Sequence, residues 1–319
     1  MRLALMTEPQ QGLSYDDILA CATAADEAGL EAFFRSDHYA SFPGPEGEPT
    51  TDAWATLAGL ARDTRRIHIG ALVSPVTFRL PGPFAKLVTT VDEMSGGRLE
   101  VGMGAGWNDD EHAQLGIAFP SLGERFEMLE ESVEILHGLW TQPDGWAFEG
   151  RHWRIRDARF NPKPSELRPD GGHPPIILGG GGGPRLARLA ARFADEFNLT
   201  SASPDGARAA YARLDEACAA QGREPASVAR SAMTGVLIAE TEQELRDRTH
   251  ALLEFTGDGD GADADAWLDQ RRSRWIIGTL DQAAERIAAF ADAGAGRLML
   301  QTFLPRDLDH VRLMGRLVG

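Results

Sequence analysis

Short apolar runs alternate along the chain with longer stretches in which apolar residues recur every three or four positions. The first run is Arg2–Thr7, and similar runs follow at Glu31–Ser36, Ile67–Val73, Arg98–Met103, Pro175–Leu178, Ala194–Leu199, Ser231–Ala239 and Arg297–Phe303. Each has strand length, and near-continuous apolar runs are what strands buried on both faces require. Between them the period changes to 3.6. Ser14 and Asp17 form a capping box, and Ile18, Leu19, Ala22 and Ala25 then share one helical face. The stripe Phe84, Leu87, Val91 and Met94 follows Pro83, and Phe126, Leu129, Val133, Leu136 and Trp140 follow the Ser121/Glu124 box. Eight strands separated mostly by helices predict a (β/α)8 TIM barrel with insertions, organised as one domain over 1–319. A doubly wound open sheet is the competing architecture; the unbroken eightfold rhythm favours the barrel.

The rhythm breaks twice. Over about 144–173, Trp146–Trp153 reads as a hairpin and leads into a Pro-rich loop, an excursion from the core. Residues of about 256–274 open with an Asp/Gly-rich run that reads as a mobile loop and lacks the EF-hand ligand order. Trp275–Gly278 then precedes a helix at Asp281–Ala293.

A barrel places chemistry at the C-terminal ends of its strands. The second strand ends at Asp37 and His38, the third at Leu72, Val73 and Ser74, and the fourth at Gly104, Ala105, Gly106 and Trp107. The fifth ends in five consecutive glycines, Gly179–Gly183, followed by Pro184 and a helix. Backbone without Cβ allows close approach of a ligand, and a helix start offers free N–H groups, so Gly180, Gly181, Gly182 and Gly183 read as a phosphate cradle. Glycines at 102–106 either let the strand bend or leave room for a flat ring. Neither glycine run fits G-x-G-x-x-G, because its third glycine falls on Pro184 or on Trp107. Taken alone, Asp37 reads as a turn cap and His38 as a loop histidine. His112, after Glu111 on a short helix, reads either as a residue of the pocket rim or, the favoured reading, as solvated surface. The eight histidines show no metal-ligand spacing, and Asp109 and Glu240 are poor glycosidase carboxylates.

Composition narrows the classes. A net charge of −16 and a pI near 4.9 argue against nucleic-acid or anionic-membrane partners. The only lysines are Lys86 and Lys163, neither at a strand end, which argues against Schiff-base chemistry. Cys21 and Cys218 both sit in helical patterns and read as buried thiols, in keeping with a cytoplasmic protein. No apolar run reaches membrane-spanning length, and the N-terminus turns acidic too early for a signal peptide.

Several stretches, in this order and spacing, carry a resemblance. They are Ser36-Asp37-His38, Gly70–Pro75, Gly102–Trp107, Pro120–Phe126, Gly179–Gly183 and Gly278-Thr279. With them the chain resembles the luciferase-like monooxygenase superfamily, in particular the branch using the deazaflavin coenzyme F420. The resemblance implies a flavin lying across the strand ends. It implies His38 as the substrate-contacting acid/base and Asp37 at the polar edge of the ring. Leu72-Val73 matches the family's bulge behind the ring, often with a non-prolyl cis peptide, and Gly180–Gly183 would hold the phosphate. The family's F420-dependent sugar-phosphate dehydrogenases carry a glutamate where Trp107 stands, which argues against that specific activity. The implied reaction is hydride transfer between F420 and a small organic substrate. An FMN-dependent monooxygenase using O2 and a non-catalytic flavin-binding protein are the alternatives. Arg79, Arg151 or Arg185 would have to offset the acidity of the chain around an anionic cofactor tail. Family members often form homodimers.

Overall fold

The computed structural model describes residues 1–256 and 263–318. In chain order, β1 (Arg2–Thr7), α1 (Tyr15–Glu27), β2 (Ala32–Arg35), α2 (Ala53–Asp63), β3 (His68–Pro75), α3 (Pro81–Ser95) and β4 (Leu99–Gly104) form the first half. Next come α4 (Asp109–Leu115), α5 (Leu122–Thr141), the hairpin β5 (Trp146–Glu149) and β6 (Arg154–Ala158), and α6 (Pro164–Leu167). The chain continues with β7 (Ile176–Gly180), α7 (Pro184–Phe193), β8 (Glu196–Thr200), α8 (Pro204–Ala220), β9 (Ala229–Ala239) and α9 (Glu242–Thr256). It ends with α10 (Ala264–Arg272), β10 (Ile276–Thr279), α11 (Leu280–Asp292), β11 (Arg297–Thr302) and α12 (Leu308–Gly315).

Eight parallel strands close a barrel in the order β9-β11-β1-β2-β3-β4-β7-β8, with β8 pairing back onto β9. The eight expected runs are these strands. The run at Trp275–Gly278 adds β10, which pairs with Val236–Ala239 only, beyond the stretch of β9 that meets β11. The hairpin at 146–158 stands apart as its own two-stranded sheet. Of the stretch read as mobile, 257–262 lie outside the described residues. The rest departs from expectation: Asp263 accepts from the Asp265 and Ala266 amides and starts α10, which buries Trp267 and Leu268.

The barrel is filled from both ends. Met6, Phe34, Leu72, Ile177, Met233 and Met299 pack inside it. Below them, Arg297 is fully enclosed and donates to Glu100 at 2.7 and 3.1 Å and to Glu196 at 3.1 Å. Burial raises the Glu100 carboxyl pKa, but the adjacent Arg297 outweighs this and holds it at about 2. The ionic plug closes the N-terminal end, so open space is left at the C-terminal strand ends.

Candidate active site

That end holds a cavity of about 810 Å³. Its wall divides with the topology. Over β3, β4, β7 and β8 it is rich in glycine: Leu72 and Val73, Gly104–Trp107, Gly179–Gly181 and Gly183, then Thr200 and Ser201, with Leu122, Phe126 and Leu186 from the adjoining helices. Over β9, β11, β1 and β2 it consists of side chains: Met233, Gln301, Phe303, Met6, Glu8, His38 and Phe42, with Trp275 from the segment entering β10.

The glycine-rich half is shaped by a bulge. Pairing of β3 with β4 slips between Ala71 and Ser74, and the Leu72–Val73 peptide is cis. This accounts for the glycines opposite. A Cβ on Gly102 would collide with the Ala71 carbonyl, one on Gly104 would lie 2.5 Å from Val73 Cγ2, and one on Gly179 would lie 2.6 Å from Val73 Cγ1. Gly106 takes φ +78, which favours glycine. Further along, added Cβ atoms at Gly181 and Gly183 would meet nothing within 4 Å. Gly183 is the N-cap of α7 and supplies no side-chain cap. The positive end of a ten-residue helix therefore borders the cavity without a side chain to satisfy it. Arg185, in the first turn, also lines it while donating to Glu130 at 2.6 Å.

His38 belongs to the other half. Its Nδ1 lies 2.8 Å from Glu111 Oε1, and the Tyr39 amide donates to Glu111 Oε2 at 3.0 Å. An ionised carboxylate only accepts, so Nδ1 donates to it, and in the neutral imidazole Nε2 is the free acceptor. The rings of Phe42 and Trp107 stand edge-on to the imidazole, at 4.5 and 5.8 Å. Glu8, the second acidic group of interest, accepts from Gln301 at 2.5 Å and from Gln10 at 2.9 Å.

Three expected site residues stand elsewhere. Asp37 is 1% exposed and off the cavity wall, which corrects its placement against a ring edge. Its carboxylate accepts from Ser74 Oγ at 2.7 Å and from Arg79 at 2.5 and 3.2 Å. Ser74 is turned the same way: its Oγ also accepts from Trp54 Nε1 at 2.9 Å, so it too is off the wall. Gly182 takes φ +68 and faces Leu199 and Ala210, where α8 packs. Arg79 also donates to Tyr39 Oη and Asp52, and burial opposes but does not outweigh the charge of Asp37, which raises its pKa. The three arginines considered for a cofactor tail thus differ. Arg79 is spent on Asp37, Arg151 donates to Glu127 at 2.6 Å away from the cavity, and only Arg185 lines it.

Two residues were misjudged or missed. His112 is fully buried, not solvated: Thr77 and the Asn108 carbonyl meet its nitrogens at 2.7 and 2.5 Å, and Phe119 packs at 4.5 Å. Glu111 belongs to Asn108-Asp109-Asp110-Glu111, which reads in sequence only as a short acidic helix start. Its position in the first turn of a helix directly after a strand tip was the one available signal.

Comparison with known proteins agrees with the fold. A chain from Nocardia farcinica called F420-dependent glucose-6-phosphate dehydrogenase is 32% identical over 307 residues, covering 89% of this chain and 87% of the relative. The pyrimidine monooxygenase RutA of Stutzerimonas stutzeri is 29% identical over 279 residues, covering 85% and 68%. Among solved structures, an F420-dependent secondary alcohol dehydrogenase in complex with an F420-acetone adduct superposes with a TM-score of 0.82 at 18% identity, covering 99% and 97%, a likeness of fold. The model of the family described as luciferase-like monooxygenase matches residues 1–297. With this barrel, the bulge at Leu72–Val73 and the glycine cradle, the chain belongs to the luciferase-like monooxygenase family.

Proposed function

We propose that the protein is an F420-dependent oxidoreductase that moves hydride between the deazaflavin and a small organic substrate. The observation that carries this reading is His38, oriented through Nδ1 by Glu111, on the wall opposite a glycine-rich cradle. The cradle fits the cofactor. Leu72, Val73, Gly104, Ala105 and Gly106 line one side where small residues leave room for a flat ring, and Gly181, Gly183 and the uncapped start of α7 suit a phosphate. When bound, the deazaflavin supplies the two-electron redox chemistry. The chain orients the substrate, excludes water and handles the proton. His38 takes the substrate hydroxyl proton at Nε2 in the oxidative direction and returns it in the reductive one, while Glu111 keeps the ring in one orientation. The curated relatives named as F420-dependent dehydrogenases support this reading.

An FMN-dependent monooxygenase is the second reading. It is favoured by the shortage of cations for a polyanionic tail, since Arg185 is the one Arg or Lys among the described lining residues. It is favoured also by the likeness to a monooxygenase. Absorbance titration with each cofactor decides between them. Binding of F420 with hydride transfer that collapses in His38→Ala supports the first reading. Binding of FMN alone overturns it. Bound flavin with no turnover on any donor or acceptor points instead to a non-catalytic flavin-binding protein.

A further inference from the structure

Around the mouth, the glycines of the cavity wall come from the ends of the neighbouring strands β4 and β7, flanked by β3 and β8, and the consecutive strands β9, β11, β1 and β2 form a second arc whose ends bring larger residues. The second arc is the space left for substrate, and its chemistry is uneven. Hydrogen-bonding and proton-handling groups are gathered at β1, β2 and β11, in Glu8, His38 and Gln301. Beside them stands an apolar wall. Trp275 and Phe303 are stacked, with ring centroids 5.2 Å apart and planes 10° from parallel. Trp275 is pressed against Gly235 of β9, where any Cβ would overlap its indole. Trp267 meets its other side edge-on at 5.6 Å. The wall is therefore held by packing on several sides. Across the mouth, Phe42 and Trp107 stand 5.2 Å apart beside His38, and Trp107 is 66% exposed. No arginine or lysine lines this arc among the described residues, and Glu8 puts a carboxylate in it.

We propose that this arc takes an uncharged alcohol or ketone with an apolar, preferably aromatic, body, and rejects sugar phosphates. A phosphate here would face Glu8 without a cation, whereas an aryl group would lie against Trp275 and Phe303 with the oxygen toward His38. The proposal rests on His38 as the proton-handling group of an oxidoreductase. In the oxidative direction a bound deazaflavin would be the two-electron acceptor of the carbinol hydride. The hydroxyl loses its proton to His38, and the carbon–oxygen bond becomes a carbonyl.

The test uses the whole chain without cofactor. Binding of acetophenone and of glucose 6-phosphate is measured by saturation-transfer NMR. Acetophenone is expected to bind and glucose 6-phosphate not to. Trp275→Ala and Phe303→Ala are each expected to weaken acetophenone about tenfold, and Trp275→Phe to restore most of the loss. Circular dichroism and thermal midpoints report whether each variant is folded. Preference for glucose 6-phosphate overturns the proposal, as does unchanged acetophenone affinity in folded Trp275→Ala and Phe303→Ala. A parallel absorbance titration with F420 separates the two readings. Acetophenone bound but F420 refused removes the cofactor and leaves the substrate class. F420 bound with glucose 6-phosphate preferred does the reverse.

Discussion

His38 Nδ1 lies 2.8 Å from Glu111 Oε1, joining the tip of β2 to a helix 73 positions later. The same carboxylate accepts from the Tyr39 amide, so one acidic side chain sets both the imidazole and the backbone that carries it.

Turnover follows from this pair. His38→Ala is expected to lower kcat by about 10²–10⁴, the usual range for a lost general acid/base. Glu111→Gln leaves a neutral amide that can donate to Nδ1 and reverse the tautomer, and a fall of roughly 10–10² is expected. Cofactor affinity, read by absorbance, should stay within about twofold in both variants. Wild-type kcat in Glu111→Gln would remove the positioning role.

Asp37 acts through Arg79. Their ion pair is enclosed, and removing one partner strands the other charge. Arg79→Met or Asp37→Asn should cost about 3–5 kcal/mol in urea unfolding. The double variant should cost clearly less than the sum, because the stranded charge is gone. Additive losses would show that the pair is not the source of the effect.

The glycine cradle separates fold from binding. At Gly183, φ −69 and ψ 165 are ordinary extended backbone at the N-cap of α7, with open space beyond. Aspartate is a good N-cap, so Gly183→Asp should keep or raise the thermal midpoint. Its carboxylate should nevertheless weaken a phosphate-bearing flavin by about tenfold or more. Gly104→Ala should instead destabilise by about 1–3 kcal/mol, because its Cβ collides with Val73. A Gly183→Asp chain that binds FMN and F420 as before would move the phosphate site elsewhere.

Stability should fall with acid. His310 is buried and neutral, accepting from the Ile238 amide at 3.1 Å, and burial followed by the charge of Arg248 pushes its pKa well down. The unfolded chain takes up that proton below about pH 6.5 and the fold resists it, so stability declines from there downward. Glu100 adds to this at lower pH. Its pKa is depressed to about 2, so its contribution is present above the ordinary carboxylate range and lost as the pH falls toward 2. Urea midpoints at pH 7.5, 6, 5 and 4 should fall steadily; a maximum at pH 5 would contradict the His310 assignment.

Much of the candidate site was legible because strand ends in a barrel are neighbours whatever their separation in sequence. His38, Leu72, Val73, Gly104–Trp107, Gly180, Gly181 and Gly183 are brought to one cavity. What escaped were directions. Asp37 and His38 are adjacent, yet His38 reaches the mouth and Asp37 the Arg79 network. Gly182 sits among four glycines, and only its φ shows that it turns toward α8. Glu111 and His112 lie in an acidic helix start whose burial depends on Tyr39, Thr77 and Phe119, three residues from other segments.

The sequence by itself determined the eight strands, the helices between them and the end of the barrel where chemistry gathers, because periodicity, caps and glycines act over a few residues. Only the tertiary structure decided which acid holds His38, which carboxylate is locked to Arg79, and that Trp275 and Phe303 form one wall. These are contacts between segments far apart in the chain, set by the closure and packing of the barrel and not by local pattern.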